Sequence, residues 1–313
     1  MNKFAVATLA AVANANQLFT TMSADGTLVS HDAVPQSFSA SLDGPNTKLY
    51  ANGSKQKIIG YYTDWSTYAR NYQPNDIPYE KIDYINMAFA NIAGGKVVLG
   101  DNYADTDKAF SGDCWNAGCK RGIFNQLNKA KIAHPHLGTM ISIGGWTWSG
   151  QFSDIAATEQ SRQIFCESAV EFAVEYGFDG IDIDWEYPVE GGLTTNHHRP
   201  EDKQNYSAII AKLRELLDAQ GAKDGKSYKI SIASTANYAY LQNYEWANLG
   251  RDLDWINIMS YDFHGPFGGP LDTVTGHNSA LLENPNEPEV AMAVADFNVE
   301  AAVSLFESFG VPR

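Results

Sequence analysis

From Lys57 onward the chain alternates between short apolar runs and longer segments whose apolar positions recur with a helical period. The runs fall at residues 58–65, 84–90, 139–146, 180–187, 230–235 and 255–261, each about the length of one strand. Helical patterns lie at 123–133, at 159–176 with Gly177 as the stop, and from Pro200-Glu201 to Gly221. A last helical pattern covers 289–309. Strands separated by helices pair in parallel, with the helices packed outside the sheet. This order predicts an α/β fold of the (β/α)8 TIM-barrel type with about six βα units present. A closed barrel needs eight strands, and six would leave open edges. Strands 7 and 8 are therefore expected to be missing, and the chain to be an incomplete version of a longer protein.

One run breaks the apolar pattern. Residues 178–188 read Phe-Asp-Gly-Ile-Asp-Ile-Asp-Trp-Glu-Tyr-Pro. With a period of two, Asp182, Asp184 and Glu186 share one face, and Ile181, Ile183 and Trp185 share the other. Three acids in register repel one another, which a purely structural strand avoids. A solvated acidic edge is the plain alternative, and the flanking apolar residues and Gly180 argue against it. A buried row of this kind can hold one acid protonated while keeping another ionised.

Other strand ends carry matching chemistry. Ser142-Ile-Gly-Gly-Trp146 offers two glycines through which the backbone can approach a ligand closely. Met259-Ser-Tyr-Asp-Phe-His264 closes the sixth run, with Asn257, Met259 and Tyr261 on one face. Tyr61, Trp65, Phe89, Trp146 and Trp148 supply flat rings near the same barrel rim. Any one of these aromatics could be core packing. Together with the acid row they describe a sugar-binding cleft.

Composition narrows the partners. Hydrophobic residues make up 44% of the 313 and charged ones 19%, enough for an extensive core. A net charge of −15 with no Lys/Arg-rich run opposes nucleic acid. Residues 1–15 read as a secretory signal: Lys3, an apolar run at 4–12, then Ala13-Asn14-Ala15 as the cleavage site. That run is too short to span a bilayer, so a secreted, extracellular protein without a membrane anchor is expected. Residues 16–56 are polar and aperiodic, a linker or extension before the domain at 57–313. Asn52-Gly-Ser and Asn205-Tyr-Ser are candidate glycosylation acceptors. Cys114 and Cys119 lie close enough to form a disulfide, and Cys166 falls on a helical pattern as a buried thiol. His134/His136 and His197/His198 lack the partners of a metal site, and no Gly-rich phosphate loop occurs. No metal or other cofactor is expected, and the protein is expected to be a monomer.

The three motifs taken together resemble glycoside hydrolase family 18, the chitinase family. The resemblance rests on Asp179-x-x-Asp182-x-Asp184-x-Glu186, on Ser142-Ile-Gly-Gly145 and on Met259-Ser-Tyr-Asp262, and covers residues 57–313. Gly276-His-Asn-Ser-Ala280 is similar to the bacterial type. It implies Glu186 as general acid/base, Asp184 as the carboxylate that orients and stabilises the 2-acetamido group, and Asp182 as the group that sets its protonation. Tyr261 would bind the acetamido oxygen with Asp262 beside it, and Asp179 would be structural support. Tyr61, Phe89, Ser142, Gly145, Trp146 and Met259 match binding or supporting positions. The implied substrate is chitin or N-acetylglucosamine oligosaccharides, cleaved by substrate-assisted retaining catalysis. An endo-β-N-acetylglucosaminidase acting on glycoprotein glycans and a non-catalytic chitin-binding lectin remain open beside it. Without strands 7 and 8 the cleft loses walls, and weak or no activity is expected of this chain.

Overall fold

The computed structural model describes residues 56–116, 118–267, 275–283 and 297–312, and the backbone of three short strands nearer the N-terminus. The remaining parts of the leader and of the 16–56 extension, with Asn52, lie outside the described residues, as does the start of the helix expected at 289–309.

Six parallel strands form the sheet in sequence order: β1 (Ile59–Thr63), β2 (Tyr84–Ala93), β4 (Gly138–Gly144), β5 (Gly180–Asp184), β6 (Lys229–Thr235) and β7 (Trp255–Met259). They are six staves of a (β/α)8 barrel. The backbone of Ala5–Thr8 runs parallel beside β7, with Ala5 opposite Trp255. The short strand β3 (Lys96–Val98) pairs antiparallel with the end of β2 across Gly94-Gly95, both at positive φ. That hairpin was not expected, although Gly-Gly between two apolar runs is its ordinary signal.

Four long helices were expected, and their ends show how the chain stops them. Helix α1 (Gly122–Ala133) follows the expected range closely. Beyond a short helix α2 (Phe152–Ala156), helix α3 (Glu159–Tyr176) starts at Thr158, whose Oγ1 accepts from the Ser161 N–H, and stops at left-handed Gly177. Helix α4 (Asp202–Asp224) corrects the expectation of an end at Gly221. Gly221 is helical, and glycine is needed there because the Lys226 carbonyl oxygen lies 2.3 Å from where a Cβ would stand. The left-handed stop is supplied by Gly225, at φ 68°. Two short helices follow, α5 (Tyr238–Leu241) and α6 (Trp246–Asp252). Helix α7 (Val299–Ser308) is shorter than the 289–309 pattern; Asn298 caps it through its side-chain oxygen.

A repeated device sets the lower end of the sheet. Asp83, Asp179 and Asp254 each stand one residue before a strand, and each accepts an N–H from the start of the preceding strand. The donors are Ile58 at 2.9 Å, Thr139 at 3.0 Å and Ile230 at 2.9 Å. Burial pushes the Asp179 carboxyl up, but Lys131 at 2.8 Å and Lys226 at 3.3 Å more than offset it and leave it lowered. Asp179 thus lies at the opposite end of β5 from Asp184.

The outward face of β5 is apolar. Ile181 and Ile183 are fully buried, and Trp185 stacks on Phe152 and meets Tyr206 edge-on at 5.1 Å. Each such side chain contributes about 1.5–3 kcal/mol by burial, so this layer holds the acid strand against α2 and α4. Cys114 and Cys119 form a disulfide, and Cys166 is a buried free thiol that burial pushes up to about 12.

Candidate active site

The acid row occupies β5 and the two residues beyond it, facing the barrel interior. Asp182 is fully buried, and four donors converge on it. The Tyr61 hydroxyl from β1 and the Ser142 hydroxyl from β4 both donate to Oδ2 at 2.7 Å. Ser231 from β6 donates to Oδ1 at 2.6 Å and the Asn257 amide from β7 at 3.1 Å. Ser142, Asp182 and Ser231 share one register row, so the sheet itself aligns them. Burial raises the Asp182 proton affinity, and the four donors pull it back toward the ionised form.

Asp184 has the opposite surroundings. It is 4% exposed, and its Oδ1 has no hydrogen-bond partner. Burial first, then the charges of Glu186 and Asp182, raise it well above the ordinary carboxylate range. Glu186 stands nearer the cleft and is pushed up to about 7 by burial and the Asp262 charge, against a hydrogen bond from Tyr187 that lowers it. The three acids of the row therefore differ in surroundings: Asp182 takes four donors, Asp184 Oδ1 takes none, and Glu186 beyond the strand end is pushed up to about 7.

Tyr261 lies just past β7, half-buried. Burial and the charges of Asp184, Glu186 and Asp262 raise its hydroxyl, so it stays a neutral donor. Met259 ends β7 and is half-buried, while Asp262 is exposed with a positive φ of 57°. Trp65 and Trp146 are about half exposed, and the Trp65 and Phe89 rings lie 6.1 Å apart at 33°. These rings face the same rim as Glu186, at the carboxyl ends of the strands.

Two expected residues take a different place from a ligand contact. The Ser142 hydroxyl is out of solvent reach and bonded to Asp182, and the hydroxyl of half-buried Tyr61 also donates to Asp182. The glycine pair also approaches protein. A Cβ on Gly144 would lie 2.4 Å from the Asp184 carbonyl oxygen, and one on Gly145 would lie 3.0 Å from the Phe89 ring. Both glycines have positive φ, and the Gly145 N–H donates to the Asp184 carbonyl at 2.8 Å. The sequence reading missed Ser231. Its signal was a polar residue inside the Ile-Ser-Ile alternation, on the period that faces the interior.

Among the described residues no group of three or more His, Cys, Asp or Glu is placed to hold a metal ion. Likewise, no helix among them is long and apolar enough to cross a membrane.

The fold is a parallel barrel sheet with a row of buried acids at the carboxyl end of one strand. Residues 57–313 match the model of glycosyl hydrolases family 18, and the chain belongs to that family. It is 44% identical to Chitinase A1 of Niallia circulans over 288 residues, which cover 82% of this chain and 40% of that protein. Chitinase ChiA74 from Bacillus thuringiensis superposes with a TM-score of 0.76 at 38% identity, covering 82% of this chain and 46% of that one. The catalytic domain of the psychrophilic chitinase B from Arthrobacter TAD20 gives 0.75 at 30% identity, covering 82% and 68%. The chain spans between 40% and 62% of the length of the curated relatives it matches.

Proposed function

We propose that this chain carries the catalytic row of a secreted chitinase, which hydrolyses β-1,4 bonds between N-acetylglucosamine units with retention. The observation that carries this reading is the buried row of Asp182, Asp184 and Glu186, in which Asp182 takes four donors while Asp184 Oδ1 takes none. A protonated Glu186 donates its proton to the glycosidic oxygen as the C1–O bond breaks. The substrate's own acetamido oxygen bonds to C1 and takes the place of a protein nucleophile, giving an oxazolinium ion. Asp184 faces the nitrogen of that group and accepts a hydrogen bond from its N–H, which spreads the positive charge of the ion, and the Tyr261 hydroxyl donates to the acetamido oxygen. The Glu186 carboxylate then takes a proton from water, the water oxygen bonds to C1 on the departing glycan's face, and the acetamido carbonyl is restored. Glu186 ends as it began.

The chitinases among its relatives support chitin as the substrate, and the aromatic rim of Trp65, Phe89 and Trp146 suits the apolar faces of sugar rings. The test is hydrolysis of a chitin tetrasaccharide with the anomer followed by NMR, for the chain and for Glu186→Gln. Slow release of β-anomer by the parent and its loss in the variant are expected. Release of the α-anomer first, or full activity in Glu186→Gln, would overturn the reading. A glycoprotein glycan cleaved while chitin oligosaccharides stay intact would move the substrate, not the mechanism.

A further inference from the structure

Strand β5 ends at Asp184, so the peptide groups on either side of Glu186 have no ladder to hold them. Two side chains from other elements take that place. The Glu186 N–H donates to Ser149 Oγ at 2.9 Å, and the Asn196 Nδ2 donates to the Glu186 carbonyl at 2.9 Å. Ser149 is fully buried and Asn196 is 9% exposed. The same Ser149 oxygen lies 2.8 Å from the Gly145 carbonyl oxygen and 3.1 Å from that of Asp184. One hydroxyl therefore joins the turn after β4 to the peptides of both cleft acids. On the other side, a Cβ on Gly192 would stand 2.0 Å from the Glu186 carbonyl oxygen and 2.8 Å from Asn196 Nδ2. A side chain at Gly192 would block the Asn196 bond. The loop that carries Asn196 is pinned next to it, with His197 and Arg199 each 2.6 Å from Asp154.

We propose that Ser149 and Asn196 are positioning residues, a two-sided clamp on the Glu186 peptide that fixes where its carboxyl group stands relative to Asp184 and the scissile bond. Neither side chain touches the carboxyl group. Their effect passes through the Glu186 Cα, which both flanking peptides hold still. The inference rests on the reading of Glu186 as acid/base, and it makes a claim that can be measured without turnover. Releasing either side lets the carboxyl group swing toward water, so its proton affinity falls.

The experiment titrates Glu186 by 13C NMR in chain labelled at the glutamate carboxyls, with Glu186→Gln assigning the resonance. It compares the parent with Ser149→Ala, Ser149→Thr, Asn196→Ala and Asn196→Leu, and records thermal midpoints and cleavage of a chitin tetrasaccharide beside it. Ser149→Ala and Asn196→Ala are expected to lower the Glu186 titration midpoint by about one pH unit. Their kcat should fall roughly 10- to 100-fold with KM within about twofold, as a small misplacement of a reacting group does. Ser149→Thr keeps the acceptor and should restore both; Asn196→Leu keeps the size, loses the donor without adding a charge, and should behave as Asn196→Ala. An unchanged Glu186 midpoint in folded variants, with only the thermal midpoint lowered, would overturn the clamp. Shifted midpoints in a parent that cleaves no chitin oligosaccharide would leave the clamp standing and remove the proposed function. Should Ser149→Ala not fold, the uncharged and near-isosteric Asn196→Leu decides the matter by itself.

Discussion

Tyr61 and Asp182 are 121 residues apart in sequence, yet the tyrosine hydroxyl donates to Asp182 Oδ2 at 2.7 Å across the barrel interior. The carboxylate it meets is fully buried and accepts from four strands at once. Asp182 is therefore a structural hub as well as the lowest acid of the row. Removing one donor leaves a buried charge less satisfied, which costs more than the net worth of an ordinary hydrogen bond. Tyr61→Phe is expected to lose about 1.5–3 kcal/mol of stability in urea unfolding at neutral pH, as for a hydrogen bond to a charged group. A loss below about 0.5 kcal/mol would show that the other three donors hold Asp182 without it. Combined with Ser142→Ala the losses should not add, because both act on the same oxygen.

The pH dependence of stability follows from Glu186. Its folded value of about 7 lies above the ordinary 4.5, so the folded chain binds this proton more tightly than the unfolded one. The contribution is full below 4.5 and is lost as pH rises through about 7. Glu186→Gln keeps the shape of the protonated acid and removes the ionisation. Above pH 7 the variant should be more stable than the parent by about 2–3 kcal/mol, and near pH 4 the two should match. Urea midpoints at these two pH values check it; equal midpoints at high pH would mean Glu186 is not held in a buried, proton-favouring place.

Thiol chemistry separates the three cysteines. Cys166 is fully buried with its thiol pushed up to about 12, while Cys114 and Cys119 are bonded to each other. The folded, unreduced chain should therefore react with no thiol reagent at neutral pH, the unfolded chain with one equivalent, and the reduced unfolded chain with three. Closing so short a loop is worth about 2 kcal/mol in the chain-entropy account, so Cys114→Ser with Cys119→Ser should lower the midpoint of unfolding modestly. Three thiols in the unfolded, unreduced chain would exclude the bond.

What could be read from the sequence was whatever one element carries alone. The acid row was legible because strand period puts Asp182, Asp184 and Glu186 on one face without help from any other segment. Gly177 was legible as a helix stop because the apolar pattern of α3 ends beside it. Ser231 as a donor to Asp182 was not, since the bond spans 49 residues and exists only through the register of β5 with β6. Gly221 misled for a related reason. Glycine both ends helices and permits close approach, and only the position of Lys226 tells which one applies. The Ser-Ile-Gly-Gly motif was legible as a place of close approach, but its partner, the Asp184 carbonyl, comes from the neighbouring strand.

That last relationship yields a comparison within one protein. Gly144 has a φ of 109°, and an added Cβ would meet the Asp184 carbonyl oxygen at 2.4 Å, a backbone atom that cannot turn away. Gly60, inside β1, has nothing within 4 Å of the same position and no left-handed φ. Gly144→Ala should lose several kcal/mol, from about 1–3 for the strained backbone plus displacement of β5 from β4. Gly60→Ala should be neutral or gain about 0.4–1 kcal/mol, because alanine narrows the unfolded ensemble and fits the strand. Denaturant unfolding of the two variants reads the difference directly. If Gly144→Ala folds as stably as Gly60→Ala, the turn after β4 does not hold Asp184 by close backbone contact. The placement of the cleft acids would then rest on the Asp182 hub and on the Ser149 and Asn196 bonds to their peptides.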